Sequence, residues 1–209
     1  MNKIAFLTAV YNEQNEIWDL LESVRPYVDT IIVSDDGSTD ATVDWAVNSG
    51  AVDVLVMGPH LASCEETRIR GFKRVTEPWT LILDADERIS PEGMVKIGEF
   101  VHSPESIHFT HVYFTQNEYI DGTLTRSFSK IKLARTAYLN LPVGIHDDIS
   151  CPGDSTDLGI EVVHRKTLEK QIMRENEYLD AYQRKIGEGK MTPERAAQVS
   201  DWHYIVKSK

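Results

Sequence analysis

Cysteine is scarce in this chain: its 209 residues hold two, Cys64 and Cys151, far apart and in no Cys-x-x-Cys pair. That spacing offers no disulfide framework, and both are read as reduced thiols in a cytosolic setting. Long apolar runs are also lacking. None approaches the ~20 residues of a membrane-spanning helix. The apolar start Ile4-Ala5-Phe6-Leu7 gives way at Tyr11-Asn12-Glu13, too soon for a signal peptide. A cytoplasmic location is expected, with a peripheral contact at the cytoplasmic face of a membrane left open. Basic residues are outnumbered, 22 Lys and Arg against 33 Asp and Glu, for a net charge of −11. Nucleic acid is therefore not an expected partner, because its phosphates demand a broad basic face. No Gly-x-Gly-x-x-Gly follows any apolar run, which disfavours a dehydrogenase. Internal repeats and low-complexity stretches are absent as well.

What is present is an ordinary globular composition, 41% apolar and 26% charged, long enough for one core and a small appendage. Ile4–Thr8, Thr30–Val33, Val52–Met57 and Trp79–Leu83 read as short buried strands. Helical stretches lie between them. One follows Asn12, a candidate cap, with Ile17, Leu20, Leu21 and Val24 on one face and Pro26 at its end. Another carries Val43, Ala46 and Val47 inward, and a third runs from Ser63, at capping-box spacing from Glu66, to about Val75. Strand–helix repetition implies a mainly parallel sheet with helices on both faces. Such sheets bind ligands at the carboxyl ends of strands, where strand order reverses.

The second half reads as a helix from Pro91 to about Val101, strands of mixed polarity at Ser106–Thr115 and Lys130–Ala134, and a loop Leu141–Asp148. A strand Gly159–His164 follows, then a long helix from Thr167 to about Ile186 with Leu168, Ile172, Tyr178 and Leu179 as candidate inward residues, and a last helix begun by Thr192-Pro193. Trp18, Trp45 and Trp79 are read as packing residues, and Phe109, Tyr113 and Phe114 as core or cleft wall.

Three polar segments close apolar strands. Asp84-Ala85-Asp86 places two carboxylates around one small residue, a donor set suited to a hard divalent cation that keeps open positions for phosphate oxygens. An acidic protein that holds a diphosphate needs such a cation, or Arg and Lys, nearby. Asp35-Asp36-Gly37-Ser38-Thr39-Asp40 offers carboxylates to a base N–H or ribose hydroxyls, with Gly37 allowing a tight turn. Thr8-Ala9-Val10-Tyr11-Asn12-Glu13 could accommodate a nucleobase beside Tyr11. Singly, each is also read as a turn or helix cap.

Together and in this order, the three segments resemble the family 2 glycosyltransferases of the GT-A fold over roughly residues 1–100. Trp79–Ile89 is similar to the bacterial lipopolysaccharide-core glucosyltransferase type, and His146-Asp147 and His164 fit that type's later His-acid loop and His before a long helix. The resemblance implies an α/β, Rossmann-like GT-A fold: a mixed, mainly parallel sheet flanked by helices, with a C-terminal helical tail. Residues 1–209 would be a single catalytic domain, with 1–100 binding the nucleotide sugar, 101–166 the acceptor and catalytic half, and 167–209 the tail.

It also implies roles. Ala9, Tyr11 and Glu13 would line the nucleoside pocket, Asp36 would contact the base, and Asp35 would hold the loop or the ribose. Asp84, Asp86 and His164 would hold Mn²⁺ or Mg²⁺, with Asp86 the direct ligand, His164 favouring Mn²⁺, and Ala85 between the carboxylates. Arg68 would face the donor phosphates, and Arg165 or Lys166 would hold the diphosphate until release. Ile69 stands where many relatives have Asn. Asp147 or Asp148 would be the base that deprotonates the acceptor, with a solvated loop pair as the plainer reading; His146 would orient the acid or touch the sugar.

The expected reaction moves a hexose, from a UDP-sugar by preference, to a hydroxyl of a glycan or glycoconjugate acceptor, inverting the anomeric centre by in-line attack. A sugar nucleotidyltransferase ranks lower because its glycine-rich basic loop is replaced by Tyr11-Asn12-Glu13. A nucleotide-sugar-binding module without turnover is the remaining alternative, and the chain could be a module of a larger polypeptide.

Overall fold

The computed structural model describes residues 2–61, 63–142, 148–189 and 192. The chain divides into two compact units, the first ending at Arg165 and the second starting at Lys166. The first holds β1 (Ile4–Val10), α1 (Ile17–Val24), β2 (Thr30–Asp35), α2 (Thr42–Asn48), β3 (Val54–Met57), α3 (Cys64–Phe72), β4 (Trp79–Ile82), β5 (Glu87–Ile89), α4 (Pro91–His102), β6 (His111–Ile120), β7 (Thr123–Arg135) and all but the last residue of β8 (Ser155–Lys166). The described part of the second is essentially α5 (Leu168–Gly187), capped by Thr167, whose hydroxyl accepts from Lys170 N at 3.1 Å.

Eight strands form one sheet in the order β3-β2-β1-β4-β7-β6-β8-β5. β3, β2, β1 and β4 run parallel to their neighbours, whereas β4/β7, β6/β7 and β5/β8 are antiparallel. This is the expected α/β sheet flanked by helices. The central strands are apolar on both faces, and the period of two divides them between two cores. Ile4, Phe6, Ile31, Val33 and Leu81 join α1 and α4 through Leu20, Leu21, Ile97 and Val101, while Ala5, Leu7, Ile32 and Ile82 meet Phe72 and Val75 on the other face. From β1 the chain moves outward to β2 and β3, then crosses back to β4 on the other flank of β1. Strand order therefore reverses at β1, so the end at which such sheets bind ligands lies beyond Val10, Asp35 and Ile82.

Several local expectations change. Asn12 does not cap α1. It has φ 54, and its Oδ1 accepts from Thr39 N at 2.8 Å while its own N–H donates to Ser38 Oγ at 2.9 Å, stitching the loop after β1 to the loop after β2. α1 starts later, at Ile17, and Pro26 sits in a 3-10 turn, Arg25–Tyr27, that follows it. Val47 is 58% exposed, because the short α2 turns Thr42 and Ala46 inward instead. Leu168 and Ile172 of α5 are exposed as well. Pro104–His108 is a 3-10 turn rather than strand, and β6 and β7 form a long hairpin through Asp121-Gly122, both at positive φ, a conformation that suits tight hairpins. β5, directly after the acidic motif, was not expected. The helix expected from Thr192-Pro193 lies outside the described residues. No described helix is long and apolar enough to cross a membrane.

Candidate active site

The loop after β2 is built around two buried carboxylates. Asp35 Oδ2 accepts from the N–H groups of Gly37 (2.9 Å) and Ser38 (3.0 Å), so it holds the turn, and its Oδ1 is buried with no hydrogen-bond partner. Gly37 has φ +78, and a Cβ there would lie 2.9 Å from His60 N, so both backbone angle and close approach require glycine. The Asp36 carboxylate is taken up by the chain itself: Thr67 Oγ1 donates to it at 2.6 Å, Leu61 N at 3.1 Å, and His60 Nδ1 lies 2.8 Å away. Arg70 stands 3.6 Å from the same group. The Tyr11 ring is stacked on His60, with centroids 3.9 Å apart and planes 19° from parallel. Ala9, half-buried, pairs with Ser34 across the sheet. Glu13 is buried, and its carbonyl accepts from Ile17 N at the start of α1.

The acidic corner follows β4. Asp84 Oδ1 accepts from Arg68 Nη2 at 2.7 Å, and Arg68 is buried on α3, whose N-terminus is capped by Ser63 as expected. Burial alone would raise the Asp84 carboxyl, but Arg68, Lys132 and Lys130 together hold it well below the usual carboxylate range. Burial would likewise lower Arg68, yet Asp84 and the groups around it keep its guanidinium more firmly protonated than usual. Ala85 packs into the core. Asp86 Oδ1 lies 2.9 Å from His164 Nε2, and His164 stands opposite Glu87 in the β5/β8 register. Arg165 donates its backbone N–H to Asp86 O at 3.2 Å, while the residue is exposed.

The structure thus brings Arg68, Asp84, Asp86 and His164 into one corner, and Tyr11, Asp35 and Asp36 into another, at the ends of neighbouring strands. Asp148 is exposed on the loop whose base is closed by the Asn140–Ser150 bridge. His146 and Asp147 lie outside the described residues. Among the described residues no three His, Cys, Asp or Glu side chains converge as a metal site; Asp86 and His164 are a pair.

Five residues that sequence reasoning passed over belong to these corners. His60 covers Tyr11. Glu87, fully buried, is paired with Lys132 (Nζ to Oε1 2.6 Å), and its Oε2 accepts from Asp84 N at 2.9 Å, bracing the acidic turn. Lys130 adds positive charge near Asp84, and Gln116 contacts His164 at 3.0 Å. Lys132 falls at the register shift between β6 and β7, where the pairing passes from Leu133 to Ile131, so a period of two gave no sign of its place.

Residues 6–151 match the family model described as Glycosyl transferase family 2. The chain belongs to glycosyl transferase family 2. The family's fold is also seen in solved structures to which the chain is similar. Against S. aureus TarS 1–349 in complex with UDP-GlcNAc, the TM-score is 0.63 at 15% identity, over 85% of this chain and 66% of that one. Against Mycobacterium tuberculosis glucosyl-3-phosphoglycerate synthase in complex with Mn²⁺, UDP and phosphoglyceric acid, it is 0.53 at 18% identity, over 79% of this chain and 71% of that one. At these identities the likeness is one of fold. A TPR repeat-containing protein of Synechococcus elongatus is 30% identical over 110 residues, 53% of this chain but 27% of that protein. The chain therefore spans about a quarter of this relative's length.

Proposed function

We propose that the protein is a metal-dependent inverting glycosyltransferase that moves a hexose from a UDP-sugar to an acceptor hydroxyl. The observation that carries this reading is the Asp86–His164 pair, 2.9 Å apart at the carboxyl end of the sheet. Two ligands of one octahedral cation, each about 2.1 Å from it, lie about 3 Å from one another, so the pair fits a shared Mn²⁺ or Mg²⁺. When bound, that cation would supply Lewis-acid neutralisation of the departing diphosphate. The ligands of two solved structures of similar fold agree in kind: UDP-GlcNAc with TarS, and Mn²⁺ with UDP in the mycobacterial synthase.

The chain's own residues do the rest. Tyr11, with Ala9 and Glu13, would line the nucleoside pocket, and Asp36 would receive the base N–H after exchanging it for the His60 contact. Asp35 keeps the loop in shape. Arg68, anchored by Asp84 beside the cation pair, would offer its remaining donors to the diphosphate, and Arg165, exposed one residue after His164, would join it. Asp147 or Asp148 would take the proton from the acceptor hydroxyl as its oxygen attacks the anomeric carbon opposite the leaving diphosphate, which inverts that centre. The test is UDP release from a panel of UDP-sugars, with and without Mn²⁺ and a glycan acceptor. Mn²⁺-dependent release in wild type, lost in Asp86→Ala, is expected; release that persists in Asp86→Ala would refute the cation assignment.

A further inference from the structure

His60 follows β3 on a loop that leans on the turn after β2. The backbone of that loop is clamped. Leu61 N donates to the Asp36 carboxylate at 3.1 Å, and a Cβ on Gly37 would lie 2.9 Å from His60 N and 3.1 Å from Gly58 O. The His60 side chain is 37% exposed, so it can leave by rotating on a fixed backbone. Its imidazole lies flat on Tyr11, with 3.9 Å between centroids and 19° between planes. Nδ1 is 2.8 Å from Asp36 Oδ2 and 3.2 Å from Asp36 O. A carboxylate and a carbonyl only accept, so Nδ1 carries a hydrogen whether the ring is neutral or charged. A flat ring on Tyr11 that donates N–H to Asp36 is what a nucleobase would present to the same two residues. The base cannot slip between the two rings. A sandwich needs them about 7 Å apart, two van der Waals separations.

We propose that His60 is a built-in stand-in for the nucleobase, which closes the base subsite of the ligand-free protein and must be displaced from Tyr11 and Asp36 before a nucleoside binds. The inference rests on the proposed function for the assignment of Tyr11 and Asp36 to the nucleoside pocket. Asp36 is prepared for the exchange. Thr67 Oγ1 holds its Oδ1 at 2.6 Å and Leu61 N reaches both oxygens at 3.1 Å, so the carboxylate stays aimed when His60 leaves. One N–H replaces another at Oδ2 and one ring replaces another on Tyr11, so no buried carboxylate oxygen is stranded at either end of the exchange. The cost falls on affinity, because a site open for only a fraction of the time binds its ligand more weakly by that fraction. The gain is selectivity: a ligand without a base, such as a sugar phosphate, brings nothing that replaces the stack and the N–H.

UDP without divalent cation is the probe, so the cation assignment plays no part. Two readouts are used: the carbon-bound ring protons of His60 in proton–carbon NMR spectra, and UDP affinity by calorimetry. In ligand-free wild type those protons are expected upfield of free histidine, shifted by the Tyr11 ring, and saturating UDP is expected to return them toward the free position. His60→Ala is expected to bind UDP about tenfold tighter, which corresponds to an open fraction of about one in ten in wild type. His60 protons that stay upfield in UDP-saturated wild type would overturn the proposal, because the base then sits elsewhere while the stack persists. Affinity unchanged or weaker in His60→Ala would overturn it as well, because the ring then lines the pocket rather than closing it. Should the alanine variant not fold, the wild-type spectrum decides alone. If neither protein binds UDP, the nucleoside pocket of the proposed function falls and the stand-in with it. UDP-sugar turnover with an undisturbed His60 leaves that function standing and removes only the stand-in.

Discussion

Replacing Lys132 with methionine removes one partner of an ion pair that is almost wholly withdrawn from water. Lys132 is 4% exposed and Glu87 0%, and both Glu87 oxygens lie within 2.6 Å of the ammonium. Desolvating two charges offsets most of their attraction, so the pair itself adds little net stability. Its rupture is different, because Glu87 would be left as a buried carboxylate facing the Asp84 N–H and, 3.9 Å away, His164 Nδ1. Breaking such a pair from one side costs about 3–5 kcal/mol. For a domain of this size each kcal/mol moves the melting temperature by about 2–4 °C, so the loss is on the order of 10 °C. The double variant Lys132→Met, Glu87→Gln removes both charges and keeps an acceptor for Asp84 N. It should recover most of that loss. Urea denaturation of wild type, both single variants and the double closes the cycle. A Lys132→Met penalty below about 1 kcal/mol, or a double variant no better than the single, would refute the claim that this pair braces the acidic turn.

Three further outcomes are expected. Asp147→Asn and Asp148→Asn should leave donor affinity nearly intact while one of them stops sugar transfer in a single-turnover assay; normal turnover in both removes the base from this loop. Gly37→Ala forces a left-handed residue against His60 N and should destabilise the fold by about 1–2 kcal/mol, so an unchanged urea midpoint would contradict the close approach. Burial holds the His111 imidazole below its usual pKa of 6.5, so the unfolded chain binds the proton more readily. The stability tied to neutral His111 is therefore complete above about pH 6.5 and is lost as pH falls through the lowered folded value. His111→Gln should narrow the difference in urea midpoint between pH 7.5 and pH 5.5, and an unchanged difference would sink the reasoning.

The parallel half of the sheet was legible because β1, β2 and β4 are buried on both faces and read as uninterrupted apolar runs. Asp35-Asp36-Gly37 was legible for a related reason: a turn that needs positive φ and close approach leaves a glycine beside its capping carboxylate. The hairpin of β6 and β7 was under-read because Thr123, Leu124, Thr125, Ser127 and Ser129 are exposed, so the first half of β7 carries little burial signal. Its Asp121-Gly122 turn was nonetheless visible. β5 is three residues long, too short for any period. The site divides in the same way. Residues that close strands announced themselves, whereas Lys132–Glu87 and Gln116–His164 join positions 45 and 48 residues apart, and local pattern holds no record of such pairings. Asn12 was placed in the right loop but given the wrong task, since its partner Thr39 comes from the next strand end.

The most direct measurement is the melting temperature of wild type and Asp86→Ala in UDP alone and in UDP with Mn²⁺. A ligand at 100 times its Kd stabilises the native state by about 2.7 kcal/mol, so adding Mn²⁺ to UDP should raise the wild-type midpoint by several degrees. The account predicts that Asp86→Ala loses this Mn²⁺ increment and keeps the response to UDP alone. An increment of equal size in both proteins, or none in wild type, would contradict it.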